Sequence, residues 1–439
     1  MVISCQVTSF VGFGCHVDKQ AQMFYPECMQ LVEQHCIDRH DPRFAAIDAA
    51  SFASKNLYNA ALYVLRQAFF NHRRVPAYAK LAHALKDNPD YRALPAKVAQ
   101  WVVRQVCGDW DTFWKADKAY KKSPATFTGR PQLPHYKPKL TGRNVLVYTG
   151  QALSRPALAD GRICPSRLPI VVQTKQTTVR QVRIVPKASH YVVEVIYSVK
   201  PTSRTANKLR PAWAASLDLG LDVLAAVTSN KKGVHPFLVN GRPLKSVNAY
   251  YNKRRAEWQA LLPKGQYTSH RLVALTDKRN RKIEHFLHWA SRYIIDWMVR
   301  ERLGTLIIGH HAGWKQAVEM GKVNNQNFVA IPHSTFIHML TYKAELAGIK
   351  VIVREESYTS KCSFLDLEPI RKHAAYCGRR VRRADFVAAD GRHIHADVNG
   401  SYNILRKGLP TAFGHGIKGV VVSPVRVLPA RKLKNWHCL

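Results

Sequence analysis

Apolar residues recur at helical spacing from Phe52 onward, with Leu57, Ala60, Ala61, Val64, Leu65 and Ala68 on one face, so a helix is expected there. A second helix is expected from about Leu94, where Val98, Val102, Val106, Trp110, Phe113 and Trp114 keep the same spacing. Such an aromatic stripe reads as core, and the flanking Arg66, Arg73, Arg74, Arg92 and Arg104 read as backbone-contacting cations. Residues 1–50 show no decisive pattern. Between about 120 and 145 the periodicity fails in KKSPATFTGRPQLPHYKPKLTGR, whose prolines, glycines and cations predict an irregular, exposed connection facing phosphate. Short β-branched runs follow: NVLVYT, LPIVVQT, TVRQVRIV and SHYVVEVIYSV. Joined by residues before the helices, they predict a small barrel interrupted by a helical insertion.

From Pro211 the pattern changes. AWAASLDLG and DVLAAVTS predict two strands joined by a tight turn, and GVHPFLVNG a third. Residues 247–302 are helix-rich, with Phe286, Trp289, Tyr293, Ile294 and Trp297 on one face. Strand LGTLIIG (303–309), a helix over about 333–347, strand IKVIVRE (349–355) and a helix starting near Asp397 complete the element order of an RNase H fold. Segment 357–395 is a basic, polar insertion before that last helix. From Pro410 periodicity is weak, and a loosely held tail is expected.

With 439 residues the chain has room for two or three domains, and 46% apolar residues with nine tryptophans mark it as globular. Its 67 Lys and Arg against 29 Asp and Glu leave a net charge of +38, which points to a polyanionic partner and strong salt dependence. The runs KRNRK (Lys278, Arg279, Arg281, Lys282) and RRVRR (Arg379, Arg380, Arg382, Arg383), with Lys361, read as phosphate contacts. No window resembles a membrane span or a secretory signal, so an intracellular protein is expected, cytoplasmic and associated with a prokaryotic nucleoid. Nine scattered cysteines, Cys5, Cys15, Cys28 and Cys36 among them, suit reduced structural thiols better than a disulfide framework.

Candidate chemistry centres on Asp218, at the end of the first strand after Pro211, and Asp397, at the start of the closing helix, 179 residues apart. Hydrolysis of a phosphodiester is assisted by two metal ions about 3.5–4 Å apart, held by carboxylates supplied from different elements. Two magnesium ions suit that oxygen-rich environment, with manganese as a substitute. Taken singly, each aspartate also fits an ordinary role, as turn former or N-cap.

DLG at 218–220, YTSKCS at 358–363 and ADVNGSYNILRK at 396–407, in this order, resemble the RuvC nuclease domain of the TnpB family, with weaker likeness in KNLYNAALY (55–63) and KRNRKIEHFLHWASRYI (278–294). TnpB proteins are transposon-encoded, RNA-guided DNA endonucleases related to the type V CRISPR effectors. The resemblance implies an α/β fold with all-β and helical parts: a wedge-like β-barrel with a helical recognition insertion, then an RNase H-like (RuvC) domain with an insertion before its last helix. It implies segments 1–50 (N-terminal, with first wedge strands), 51–123 (helical recognition lobe), 124–210 (wedge), 211–356 (nuclease, first part), 357–395 (degenerate zinc ribbon), 396–409 (closing helix) and 410–439 (basic tail). It also implies a guide RNA and a target double-stranded DNA as partners of a monomeric ribonucleoprotein.

Two departures stand out. The family's catalytic glutamate at the end of the fourth strand is replaced by Gly309. A relocated ligand is expected on the adjacent strand, Glu356 by its spacing from the YTS phrase, with Glu355 in reserve and His310 or His311 as a further alternative. The family's two CxxC pairs are reduced to Cys362 and Cys377, with His373, His393 and His395 nearby, so zinc is not expected. The functional expectation is an RNA-guided, metal-dependent DNA endonuclease using Asp218, Glu356 and Asp397. The competing readings are a non-cutting RNA-guided repressor and an RNase H-like transposase.

Overall fold

The computed structural model describes residues 2–4, 29–199, 208–310 and 331–428. They divide into two compact units, one built mainly from Gln30–Val199 and one within Lys200–Trp436.

The first unit runs β1 (Val2–Ser4), β2 (Met29–Ile37), α1 (Phe44–Phe70), α2 (Tyr78–Leu85), α3 (Pro89–Ala93), α4 (Ala96–Lys122), β3 (Leu146–Thr149), α5 (Arg155–Ala159), β4 (Arg162–Ile163), β5 (Val172–Gln173), β6 (Val179–Pro186) and β7 (Tyr191–Val199). Leu57, Leu65, Val98, Val102, Val106 and Trp110 share one core with Tyr148, Ile184 and Val193 of the strands. Helix α1 starts eight residues before the expected Phe52. In those added turns Ile47 is buried, and the Asp48 carboxylate pairs with Arg143 (2.7 Å) and accepts from the Tyr191 hydroxyl (2.7 Å). The breaker-rich connection lies along α1: Lys55, Asn59 and Arg66 donate to the backbone carbonyls of Lys139, Lys137 and Pro134. The strands form an open sheet in the order β1-β2-β7-β6-β3, and among the described residues no closed barrel forms. The run LPIVVQT is the reason. Only Val172–Gln173 is extended, and it pairs locally with Arg162–Ile163 instead of joining the larger sheet.

The second unit runs β8 (Arg210–Leu219), β9 (Val223–Ser229), β10 (Phe237–Asn240), α6 (Arg242–Ala260), α7 (His270–Arg300), β11 (Leu303–Gly309), α8 (His333–Leu346), β12 (Lys350–Arg354), β13 (Arg379–Arg382), β14 (Asp385–Val387), β15 (His393–His395), α9 (Ala396–Gly408) and β16 (Val425–Val427). The sheet order is β12-β11-β8-β9-β10-β16, with β8, β11 and β12 parallel and β8, β9 and β10 antiparallel in turn. All seven residues of β11 are buried, as an uninterrupted apolar run in a parallel arrangement predicts. Strands β13, β14 and β15 form a small separate sheet inside the insertion. Helix α9 packs on β8, β9 and β11. Part of the expected loose tail, within residues 410–428, is instead packed, and residues 429–439 lie outside the described residues. Phe413, Ile417, Val420 and Val422 cover the core around Phe364 and Tyr402, and β16 extends the sheet beside β10. Those apolar residues are irregularly spaced because they fill gaps between elements, so no period reveals them. Among the described residues no helix is long and apolar enough to cross a membrane.

Candidate functional site

Strand β8 carries Asp218 near its C-terminal end, and α9 carries Asp397 in its first turn, where the His395 side chain caps the helix by accepting the Asp397 N–H (3.2 Å). The small residues of ADVNGSYN let the two approach. A Cβ on Gly400 would fall 2.5 Å from Oδ2 of Asp218, so only glycine allows the helix backbone this close to the carboxylate. One residue on, Ser401 enters a buried hydroxyl network. Its Oγ lies 3.1 Å from Ser216 Oγ and 3.0 Å from Thr228 Oγ1, and the Ser216 hydroxyl also donates to the Ser401 carbonyl (2.7 Å). Ser216, Thr228 and Ser401 are fully buried, so the network fixes the depth and rotation of α9 on β8 and β9.

The third acid arrives from β12. In the parallel pairing Gly309 stands opposite Arg354, and the chain then turns so that Glu356 folds back over the glycine. A Cβ on residue 309 would meet Oε2 of Glu356 at 2.8 Å and Cδ1 of Ile404 at 2.5 Å. The glutamate therefore occupies the space that a side chain at 309 would need. Glu355 points elsewhere: Lys407 holds its carboxylate at 2.6 Å, and Ser357 donates to it through both backbone N–H and hydroxyl. Burial works against ionisation of Glu355, yet those donors bring its pKa down to about 2. His310 donates its backbone N–H to the Arg354 carbonyl (2.8 Å), continuing the ladder between the two strands, and His311 lies outside the described residues.

Asp218 is partly accessible to solvent but has protein on nearly every side. Its pKa is raised well above the carboxylate range, first by burial, then by the Glu356 charge and then by Asp397, with Arg380 opposing. Arg380 reaches in from β13 and lies 3.6 Å from Asp397. Among the described residues no three His, Cys, Asp or Glu side chains sit close enough to hold one ion as they stand. The donor set is nonetheless all oxygen, and its electrostatics favour a compact added positive charge, which fits a hard divalent cation.

The other expected contact residues are divided. Lys278, Arg281, Lys361, Arg379 and Arg382 are at the surface, with Lys282 half-buried. Arg279 instead bonds Asn248 (2.8 Å) and lies over the Tyr251 ring, so it braces α6 against α7. Arg383 pairs with Asp222 at 2.5 Å, and Arg380 with the acid site. Sequence clusters report charge, and only the fold reports which cations are already neutralised. In the insertion Cys362 is buried and Cys377 exposed, both as free thiols. The buried Glu368 accepts the backbone N–H groups of Ser363 (2.7 Å) and Cys377 (3.0 Å), and so ties the two cysteine-bearing turns together. His373 donates to the Pro369 carbonyl, His393 pairs with Asp385, and His395 caps α9. Sequence reasoning missed Arg380 as a member of the acid site, Glu368 as the insertion's tie and Ser401 as an anchor.

Residues 190–315 match the family OrfB of IS605, described as a probable transposase, and residues 333–404 match the Cas12f1-like TNB domain. A TnpB-like protein, ORF457 of Acidianus two-tailed virus, is 26% identical over 252 residues, which is 55% of this chain and 48% of the viral protein. The chain thus spans about half the length of that curated relative. Among solved structures, the cryo-EM structure of a Cas12f1–sgRNA–target DNA complex matches with a TM-score of 0.51 at 12% identity, covering 81% of each chain, a likeness of fold alone. Two family models in tandem, a TnpB-like relative and a shared fold agree with one another and together support a TnpB family protein.

Proposed function

We propose that this chain is an RNA-guided, divalent-metal-dependent DNA endonuclease of a transposable element, with Asp218, Glu356 and Asp397 as its acids. The observation that carries the reading is the Glu356 carboxylate lying over Gly309, near enough to Asp218 for its charge, like that of Asp397, to act on that aspartate. The absence of the usual acid at 309 is thereby matched by a nearby substitute, which favours a working site over a decayed one. The RNase H-like order of strands and helices supports the same reading.

Asp218, Glu356 and Asp397 would hold two magnesium ions, or manganese in their place. When bound, such ions supply an activated water and neutralise charge on the leaving oxygen. The chain's own contribution is positional. β8 presents Asp218 from the sheet, α9 presents Asp397 from above, and the turn after β12 presents Glu356 from the side. Arg380, which lies 3.6 Å from Asp397 and also donates to the Arg383 carbonyl, would offer its guanidinium to an incoming phosphate. Lys278, Arg281, Lys361, Arg379 and Arg382 would track the backbones of a guide RNA and a target duplex, with one chain per guide.

The test is magnesium-dependent cleavage of a guide-matched duplex by the protein purified with its co-expressed RNA. Cleavage is expected, and Asp218→Ala should abolish it while DNA binding persists. RNA-dependent binding without cleavage would favour a repressor instead, and RNA-independent joining of element ends a transposase.

A further inference from the structure

An acid on β11 would be held by a neighbour on each side, whereas β12 is the edge strand and its last residues are exposed. Glu356 lies two residues beyond that edge, so something other than the sheet must fix it. The turn that follows does so. The Glu356 carbonyl accepts both the N–H (3.2 Å) and the hydroxyl (2.7 Å) of Thr359, across Tyr358 in a left-handed conformation (φ 65°). The Tyr358 carbonyl in turn accepts the N–H groups of Lys361 and Cys362 (3.1 Å each).

This compact turn points carbonyls inward, and α9 meets them with two fully buried asparagines. Asn403 Nδ2 donates to the carbonyls of Thr359 (2.9 Å) and Cys362 (2.7 Å). Asn399 donates to the Cys362 carbonyl (2.9 Å) and accepts the Phe364 N–H (2.8 Å). Buried amides are retained only where their hydrogen bonds are made, and here each bond joins the turn after Glu356 to the helix bearing Asp397.

We propose that Thr359, Asn399 and Asn403 are positioning residues that set the distance between the Glu356 carboxylate and Asp397, replacing the rigidity a central strand would have provided. The inference rests on the reading of Glu356 as a metal ligand. Removing a group that orients a ligand typically weakens metal binding by about 10- to 100-fold.

The experiment titrates Mn2+ alone into the RNA-bound protein, by calorimetry or by loss of the free-ion resonance signal, without cleavage. Thr359→Val and Asn403→Leu should weaken Mn2+ binding about 10- to 100-fold, with Thr359→Ser restoring it. In a Glu356→Gln background Thr359→Val should weaken binding no further, because it acts through that carboxylate. Parent-like affinity in both Thr359→Val and Asn403→Leu, or fully additive losses with Glu356→Gln, would overturn the proposal. Asp218→Ala is the parallel control. If it leaves Mn2+ binding unchanged, the metal reading itself falls and this inference with it. If it weakens binding while the turn variants do not, only the positioning role is lost.

Discussion

Glu355 and Glu356 are adjacent, identical in chemistry and opposite in circumstance. Glu355 is exposed and tied to Lys407, while the Glu356 carboxylate is turned inward against Gly309 and acts on Asp218. Glu356→Gln is therefore expected to abolish magnesium-dependent cleavage and Glu355→Gln to leave it nearly intact; comparable losses in a cleavage assay would refute the distinction. Alternation along a strand implied that only one of the pair faces the acids, and the spacing to YTS favoured Glu356. Gly400 is equally specific. Gly400→Ala places a methyl group 2.5 Å from Asp218 Oδ2, so it should displace that carboxylate and cost about 1–3 kcal/mol of stability. Retained cleavage with an unshifted melting transition would show that the helix has room to withdraw. Gly400 stands inside the ADVNGSYNILRK phrase, but helical periodicity gives no reason for it, because that reason lies on a strand far away in the chain.

Helices α7 and α8 meet at a buried lysine. Lys343 donates to Ser291 Oγ (2.6 Å) and to the His288 carbonyl (2.9 Å), and burial, aided by Arg292, lowers its pKa from 10.5 to about 7. The folded state releases this proton near pH 7, while the unfolded chain keeps it to about pH 10.5. The unfolded state thus binds more protons in that window, so Lys343 opposes folding fully below pH 7, and the opposition fades as pH rises. Lys343→Met should flatten the rise of melting temperature between pH 7 and about 9, and an unchanged slope in thermal melts would exclude this origin. At the same level α1, α4, α8 and β11 were legible from periodicity. The start of α1 was not, because Asp48 and Ser51 look like surface residues until Arg143, Tyr191 and the Asn144 carbonyl are brought to them.

Across the molecule, charge is the dominant fact. A chain of +38 that contacts about 6–10 phosphates should lose roughly 10³–10⁵ in affinity between 50 and 200 mM salt. Fluorescence anisotropy with guide RNA and with unrelated RNA should give similarly steep slopes on log–log axes, and a shallow slope would mean that few cations reach phosphate. Arg279 and Arg383 should contribute little to that slope, being engaged with Asn248 and Asp222, whereas Lys278 and Arg382 should each contribute.

Some properties depended only on the order and kind of residues. The net charge of +38, the alternation of strands and helices after Pro211, and the two aspartates on separate elements all follow from composition and local period, which act over a few neighbours. Others needed the chain to fold. The first sheet stays open because β5 finds a local partner, residues within 410–428 pack by filling gaps, and Arg380 leans on Asp397 from 17 positions earlier in the chain. The Thr359–Asn403 contact spans 44 positions, and no periodicity carries information over such a distance. Hydrogen bonds and close approaches are decided by where backbones end up, so the residues that fix the acids became visible only in three dimensions.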